Sequence, residues 1–345
     1  MRARTALALA ALAAGCSACG ASAGLHIEDG GHTVRLHRVT SPAPPSPPTV
    51  HAHPTHGIEL GGPAALAYAT GTLWCAVQPG PGLLGSLIMV DTTTGRRVGQ
   101  PLPLPPVDQP YLLAVGPDGV WLASGARLWR IDPTGGGIAF SGRLPGPATT
   151  LTDAAGSIWA TVVVGSSGRV VRISPATGSV VAQAPAGPAP SALTVANGLA
   201  WVTDSVDQSI GRYAVTKAGL RQTGTIPLPR STVRAPTQIT VYGGFVWAYE
   251  RGRVTRIDPA SSAVVGTTKV TAAPGGTIAA GSGGIWVITR TRAHRGAVRL
   301  LDAASGLAIG RRIAVGADPT AIVTDGRGAW VFDATTTRLV RVYPG

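Results

Sequence analysis

Seven tryptophans recur along this chain, at Trp74, Trp121, Trp159, Trp201, Trp247, Trp286 and Trp330, and each lies eight residues after a branched aliphatic. The aliphatics are Leu66, Leu113, Leu151, Leu193, Ile239, Ile278 and Ile322, and a glycine precedes every tryptophan by two or three positions. A unit copied seven times with a fixed internal spacing builds one fold from seven copies rather than several unrelated domains. The tryptophans stand 38 to 47 residues apart. About 40–45 residues is enough for four short antiparallel strands, the size of one propeller blade.

Each copy reads in the same order. A loop with proline (Pro63, Pro110, Pro190, Pro236, Pro319) leads into a short apolar strand near the marked aliphatic. Glycine-bearing pairs such as Asn197-Gly198, Asp118-Gly119 and Gly243-Gly244 are hairpin signals, and the tryptophan strand follows them. A third strand ends in an Ile-Asp-Pro-like turn, as at Ile131-Asp132-Pro133 and Ile257-Asp258-Pro259, and a fourth strand such as Ser179 to Ala184 or Thr223 to Leu228 closes the unit. Glycine and proline (47 and 29 residues) interrupt any helical period. The expected class is therefore all-β, a seven-bladed β-propeller.

The two ends of the repeat region test the count. After Trp330 the chain supplies one more strand, Thr337 to Val342, so the last blade lacks its fourth. The segment His56-Gly57-Ile58-Glu59-Leu60 looks like the fourth strands elsewhere and is expected to complete that blade, closing the ring. An open ring would expose strand edges and apolar blade faces. With one tryptophan at the same place in each blade, the rings are expected to pack one blade on the next. Trp129, outside the rhythm, is read as packing too.

The first residues point to export. Arg2 and Arg4 precede a short apolar stretch, Ala6 to Ala14, far below the ~20 residues of a membrane-spanning helix. Leu12-Ala13-Ala14-Gly15-Cys16 resembles a bacterial lipobox, which implies cleavage before Cys16 and its acylation. The alternative is plain secretion after a cut near Ala18 or Ala21. The expected organisation is a signal peptide over 1–15, a lipidated, Pro-rich tether over 16–55 and the propeller over 56–345. Cys75 is read as a small buried hydrophobe, with a Cys19–Cys75 disulfide as the alternative. In the tether, Ser41-Pro42-Ala43-Pro44-Pro45-Ser46-Pro47-Pro48 favours an extended polyproline segment. His51, His53 and His56 form a weak candidate metal site, against the plainer reading of a His-containing linker.

The unit Pro-x-x-Leu/Ile, then Gly-x-Val-Trp-Val, then Ile-Asp-Pro-x-Thr-Gly resembles the YVTN/NHL-type seven-bladed propellers of bacterial extracytoplasmic proteins. It is also similar to streptogramin lyase-like propellers. The resemblance covers about residues 56–345 and implies architecture more than function, since such rings host binding modules, lyases, lactonases and scaffolds. The lyase-like enzymes use histidine and glutamate with a divalent metal, yet past His56 the repeat region holds only His294, Glu59 and Glu250 of those types. The lactonase-like enzymes use Glu, Asn and Asp around the channel, and Asn197 is the chain's only asparagine. No catalytic residue and no cofactor is assigned, and an enzyme on the loop face stays as the alternative.

The loops that enter each first strand and leave each second strand gather on one face. Three residues past the tryptophans that face receives Val77, Ser124, Val162, Asp204, Glu250, Thr289 and Asp333. The three carboxylates are candidate ligands for a cation such as calcium, or else solvated charges paired with arginines. Entering loops add Asp108, Gln109, Tyr111, Arg230, Arg234, Gln238 and Asp318. Exit loops add Arg251, Arg290, Arg292 and Arg295, a basic sector in blades five and six. Arginine forks suit carboxylate and phosphate. The formal charge is +13, and only Lys217 and Lys269 of the 29 basic residues are lysines. Basicity of this kind often means nucleic acid, but the export signal and 5% aromatic content argue against it. The expected partner is an envelope protein or an anionic envelope polymer, met by a monomer held to the membrane through its lipid alone.

Overall fold

The computed structural model describes the chain from Val50 to Pro344, apart from residues 118, 133, 218, 230–235, 251, 274–275, 282, 292 and 294. Side chains of residues 50–57 and 236 are likewise outside the description. The lipobox with Cys16, Cys19 and the Pro-rich run therefore lie outside the described residues, as do Arg230, Arg234, Arg251, Arg292 and His294, and the side chains of His51, His53 and His56.

The described residues form seven four-stranded antiparallel sheets and no helix. In chain order the blades occupy residues 64–104, 112–143, 148–185, 190–227, 236–269, 278–316, and finally 319–344 joined by 50–59. Successive first strands pack side by side around the axis, and that of blade seven, Pro319–Thr324, packs on that of blade one, Ala64–Ala69. The ring is a closed seven-bladed β-propeller.

Closure uses the N-terminal strand, as the sequence predicts. Val50–Glu59 pairs antiparallel with Arg338–Pro344, from Val50 opposite Pro344 to Glu59 opposite Arg338, with an irregularity between His53 and Ile58. The strand is longer than the His56–Leu60 segment that marks it in the sequence. Across the seam the Leu60 N–H donates to the Thr337 carbonyl at 2.8 Å, and Arg97 of blade one donates to the Glu59 carbonyl.

The core is divided into inter-blade layers, and each layer is seeded by the tryptophan of the preceding blade. Trp121 packs against Leu151, Ile158, Ala160 and Ile173 of blade three. Trp201 packs against Ile239, Val246, Ala248 and Ile257 of blade five. Trp330 and Phe332 pack against Leu73, Cys75, Ile88 and Val90 of blade one, which makes the closing layer like the others. Trp129 joins the layer between blades one and two. Six of the seven repeating rings are essentially inaccessible and Trp74 is nearly so. Large rings repeated at one register bury the most area per blade, so the rhythm is a packing rule. Cys75 belongs to the same core: it is fully buried, and that burial pushes its thiol up to about 12 despite the positive charge of Arg97. Among the described residues it has no disulfide partner, and it acts as an apolar filler.

The Ile-Asp-Pro turns also hold by a local device. Asp91, Asp132, Asp258 and Asp302 each accept hydrogen bonds from groups two or three residues ahead, such as the Thr94 N–H at 2.6 Å and the Ser305 N–H at 2.7 Å. These are Asx turns. The bonds favour the ionised carboxylate, so all four lie below the ordinary aspartate range: the leading cause is the Thr94 N–H for Asp91, the Thr134 hydroxyl for Asp132, the Ala260 N–H for Asp258 and the Ser305 hydroxyl for Asp302. A depressed folded-state value stabilises the fold above the unfolded pKa of about 3.9, and the contribution disappears as pH falls through the folded value. The melting midpoint should hold above about pH 5 and drop below about pH 4. Asp302→Asn should make that drop shallower in melts followed by circular dichroism. An unchanged profile across the four Asp→Asn variants would rule these turns out as its source.

Candidate functional site

The seven marked aliphatics do more than begin a strand. All of them line a central cavity of about 640 Å³, together with hydroxyl and amide side chains of the first strands such as Thr149, Ser191, Thr237, Gln238 and Thr320. The register places the start of each first strand beside the end of the tryptophan strand: Pro190 faces Asp204, Pro236 faces Glu250 and Pro319 faces Asp333. Near this end Thr149 meets the Thr161 hydroxyl at 2.7 Å and donates to the Pro190 carbonyl at 2.7 Å, tying blade three to blade four. No charged side chain lines the channel among the described residues. It is an apolar belt with a neutral, hydroxylated mouth.

The candidate carboxylates are engaged by the fold. Asp204 is 3% exposed: one oxygen accepts the Ala189 N–H at 2.8 Å, and the other accepts the N–H groups of Val206 and Asp207 at 2.9 and 2.7 Å. Asp333, fully buried, repeats this in blade seven with Ala317 at 2.6 Å, Asp318 at 3.4 Å, and Thr335 and Thr336 at 2.9 and 3.0 Å. Each clamps the loop arriving from the preceding blade to the turn leaving its own strand. Room for the clamp comes from glycine: a Cβ on Gly316, at φ +134°, would sit 1.5 Å from the Asp333 carboxylate. Glu250 is 1% exposed, paired with Arg253 and bonded by the Thr255 hydroxyl at 3.2 Å. The three therefore sit beneath the face with their oxygens already bonded. Among the described residues no three His, Cys, Asp or Glu side chains gather as a metal site.

The arginines divide into two populations. One is internal. Arg130, Arg172, Arg212, Arg256 and Arg341 sit on third strands directly opposite the tryptophans of their own blades. Their guanidinium carbons lie 4.9–5.9 Å from the indole centroids, within cation–π range. From there Arg130 donates to the Pro175 carbonyl at 2.9 Å, Arg212 to the Ser262 hydroxyl at 3.2 Å, Arg256 to the Ala304 carbonyl and Arg341 to the Thr92 carbonyl. Every acceptor lies in the turn between the third and fourth strands of the next blade. Arg172 instead donates to Ser157 at 2.8 Å within its own blade. Blade six has Leu300 opposite its tryptophan. The next blade there takes its fourth strand from the other end of the chain, so no such turn exists to receive an arginine. Met89 occupies the place in blade one, and nothing in the structure explains it.

The other population crowds blade six. Arg290 is half-buried at the end of Gly284–Arg290, and its carbonyl accepts Arg312 at 3.2 Å. Arg295 is exposed in a loop closed by the Thr291 N–H donating to its carbonyl at 2.8 Å. Arg299, on Gly296–Leu301, is held below the usual arginine range by burial first and by the charge of Arg312 second. No ion pair to any of these four appears among the described residues. Of the sequence candidates, Arg290 is thus joined through its carbonyl to Arg312, which lies beside Arg299, while Arg295 stays in the exit loop; Arg299 and Arg312 were not among those candidates. The signal for the missed pair was their place on the strands that follow the exit loop.

No protein-family model matches the chain, and no curated protein matches it significantly.

Proposed function

We propose that this propeller is a recognition module that binds an anionic partner at the upper flank of blade six, and that it works outside the cytoplasm. The observation that carries the reading is the grouping of Arg299, Arg312 and the end of the strand at Arg290, with Arg295 in the loop that follows, and no ion pair to any of them among the described residues. Like charges held together cost stability, and among the described residues none of the four lies over an indole ring as the internal arginines do. Arginine forks present paired donors to carboxylate or phosphate. Candidate partners are an anionic envelope polymer or an acidic patch on an envelope protein. Arg292 lies between Arg290 and Arg295 in sequence.

The lipobox-like segment ending in Cys16 supports anchoring to the extracytoplasmic face of the cell membrane, with secretion as the outcome when Cys16 is not acylated. Two or more acyl chains suffice for stable anchoring. The resemblance to YVTN/NHL-type rings supports the same address. In this reading the protein carries out no reaction; the loops recognise and the ring holds them apart.

Crosslinking at the cell surface, with identification of what is caught, tests the proposal. Wild type should capture an acidic protein or polymer, and capture should weaken with ionic strength because exposed charges are screened. The triple variant Arg290→Ala, Arg292→Ala, Arg295→Ala should lose at least about tenfold of that capture, the scale of two or three exposed charge contacts at about 0.5–1 kcal/mol each. Equal capture by wild type and variant refutes the blade-six site. Turnover of a small substrate that stops on chelation would favour a lyase- or lactonase-type enzyme instead.

A further inference from the structure

One position differs among the blades in a way that points to a ligand. The residue paired with the third position past each tryptophan is an arginine in four blades: Arg127, Arg169, Arg253 and Arg338. Three of them are compensated. Arg253 is bound to the buried Glu250. Arg338 faces Glu59 at 3.8 Å. Arg169 donates to the Gln183 side chain at 3.1 Å. Arg127 has no such partner among the described residues, and across the sheet it faces a second exposed arginine, Arg143. Two like charges directly opposite on neighbouring strands destabilise the pair.

Blade five shows what this arrangement ordinarily holds. There Arg253 on the third strand stands between Glu250 on the second and Lys269 on the fourth, and the buried Glu250 carboxylate offsets one of the two facing cations. In blade two the place of Glu250 is taken by Ser124, whose hydroxyl donates to the Gln109 carbonyl at 2.8 Å. The basic pair is kept and the acid is gone. Instead a cavity of about 490 Å³ opens there, lined by Asp108, Gln109, Ser124, Arg127 and Arg143. That is within the ~300–1,000 Å³ of small-molecule sites. Asp108 makes no ion pair with either arginine among the described residues, so it does not neutralise them, and its carboxylate offers an acceptor for an N–H on a ligand.

We propose that this cavity binds a ligand bearing a carboxylate, whose acid group reaches Arg127 and Arg143 and supplies the negative charge that Glu250 supplies beside Arg253 in blade five. The inference rests on the reading of the loop face as a recognition surface, but it concerns a different blade and a small acid. The ligand's carboxylate accepts from both guanidinium groups, as charge-assisted bonds that relieve their repulsion.

Thermal melts of the full chain test it, with N-acetylglycine at tens of millimolar against N-acetylglycinamide, which lacks only the acid, at matched ionic strength. The acid should raise the wild-type melting midpoint by about 2 °C at roughly ten times its dissociation constant, and the amide should not. Arg127→Gln and Arg143→Gln should not respond. Arg143→Glu should melt above wild type without any ligand, because it places a carboxylate opposite Arg127 as Glu59 stands opposite Arg338, and it should ignore the acid. Equal effects of acid and amide, a wild-type response in Arg127→Gln, or a response to inorganic phosphate alone would each overturn the carboxylate site. Surface capture that persists while the acid has no effect refutes this pocket and leaves the blade-six reading standing. Capture unchanged in the Arg290→Ala, Arg292→Ala, Arg295→Ala variant, with the acid response of wild type intact, does the reverse.

Discussion

Deleting residues 50–59 should leave a ring that no longer persists as a soluble monomer. The deleted strand is the outer strand of blade seven. Without it, Arg338–Pro344 becomes an open edge with unpaired N–H and carbonyl groups, a template for pairing with another chain. The loss also uncovers the layer that holds Ile58, Leu60 and Leu339 against Leu73 and Val90. Burial of a side chain such as Ile58 is worth roughly 1.5–3 kcal/mol, and each ladder bond about 0.5–1.5 kcal/mol. Together the strand contributes on the order of 5 kcal/mol or more, comparable with the ~5–15 kcal/mol that keeps a typical domain folded. Size-exclusion chromatography with light scattering should show aggregate or a swapped oligomer. A synthetic peptide of residues 50–60 added during refolding should restore monomer. Unaltered monomer with an unchanged melting midpoint would show that the seam closes without this strand.

That the ring closes in this way is legible from sequence because closure is a matter of counting. Seven tryptophans and a missing fourth strand after Trp330 leave one place to fill, and His56–Leu60 has the alternation to fill it. The hairpins and the Ile-Asp-Pro turns are equally readable, since an Asx turn is completed within three residues, as between Asp302 and Ser305. What escapes is anything decided by a neighbouring blade. The spacing puts Asp204 and Asp333 at the ends of their tryptophan strands, but their partners Ala189 and Ala317 lie 15 and 16 residues upstream in the loop from the preceding blade. Only packing shows that those loops fold over the carboxylates and bury them. The internal arginines were visible as the basic residue just before the hydrophobic one that ends the third strand, as in Arg130-Ile131, Arg172-Ile173 and Arg256-Ile257. Read as net charge, they suggest a partner. Their acceptors lie some 45 to 50 residues away in the next blade's turn, beyond the reach of local pattern. The basic excess is thus in part a fastening system, and the informative arginines are those with neither a ring nor a carboxylate among the described residues.

The strongest of these fastenings should be Asp325 with Arg341. Asp325 accepts the Trp330 indole N–H at 2.9 Å and the N–H groups of Arg327 and Gly328 at 2.9 and 2.8 Å, and its second oxygen also holds Arg341 at 2.6 Å. Arg341, 4% exposed, lies over Trp330 and Tyr343 and reaches across the seam to the Thr92 carbonyl of blade one. One carboxylate therefore positions the packing ring of the last blade and the cation that joins it to the first. Asp325→Ala leaves that cation buried without its charge partner, a change that costs about 3–5 kcal/mol. The exposed pair Arg338–Glu59, at 3.8 Å, is the contrast: Glu59→Gln should cost less than about 1 kcal/mol. Charge alone does not separate these outcomes; desolvation does. A double-mutant cycle settles the cause, because Arg341→Met removes the buried cation while keeping an apolar side chain over Trp330. Asp325→Asn combined with Arg341→Met should therefore lose clearly less stability in urea unfolding than the two single losses added together. Strict additivity would mean that the two groups act separately, and the closing blade would then owe its attachment to the apolar layer and the borrowed strand alone.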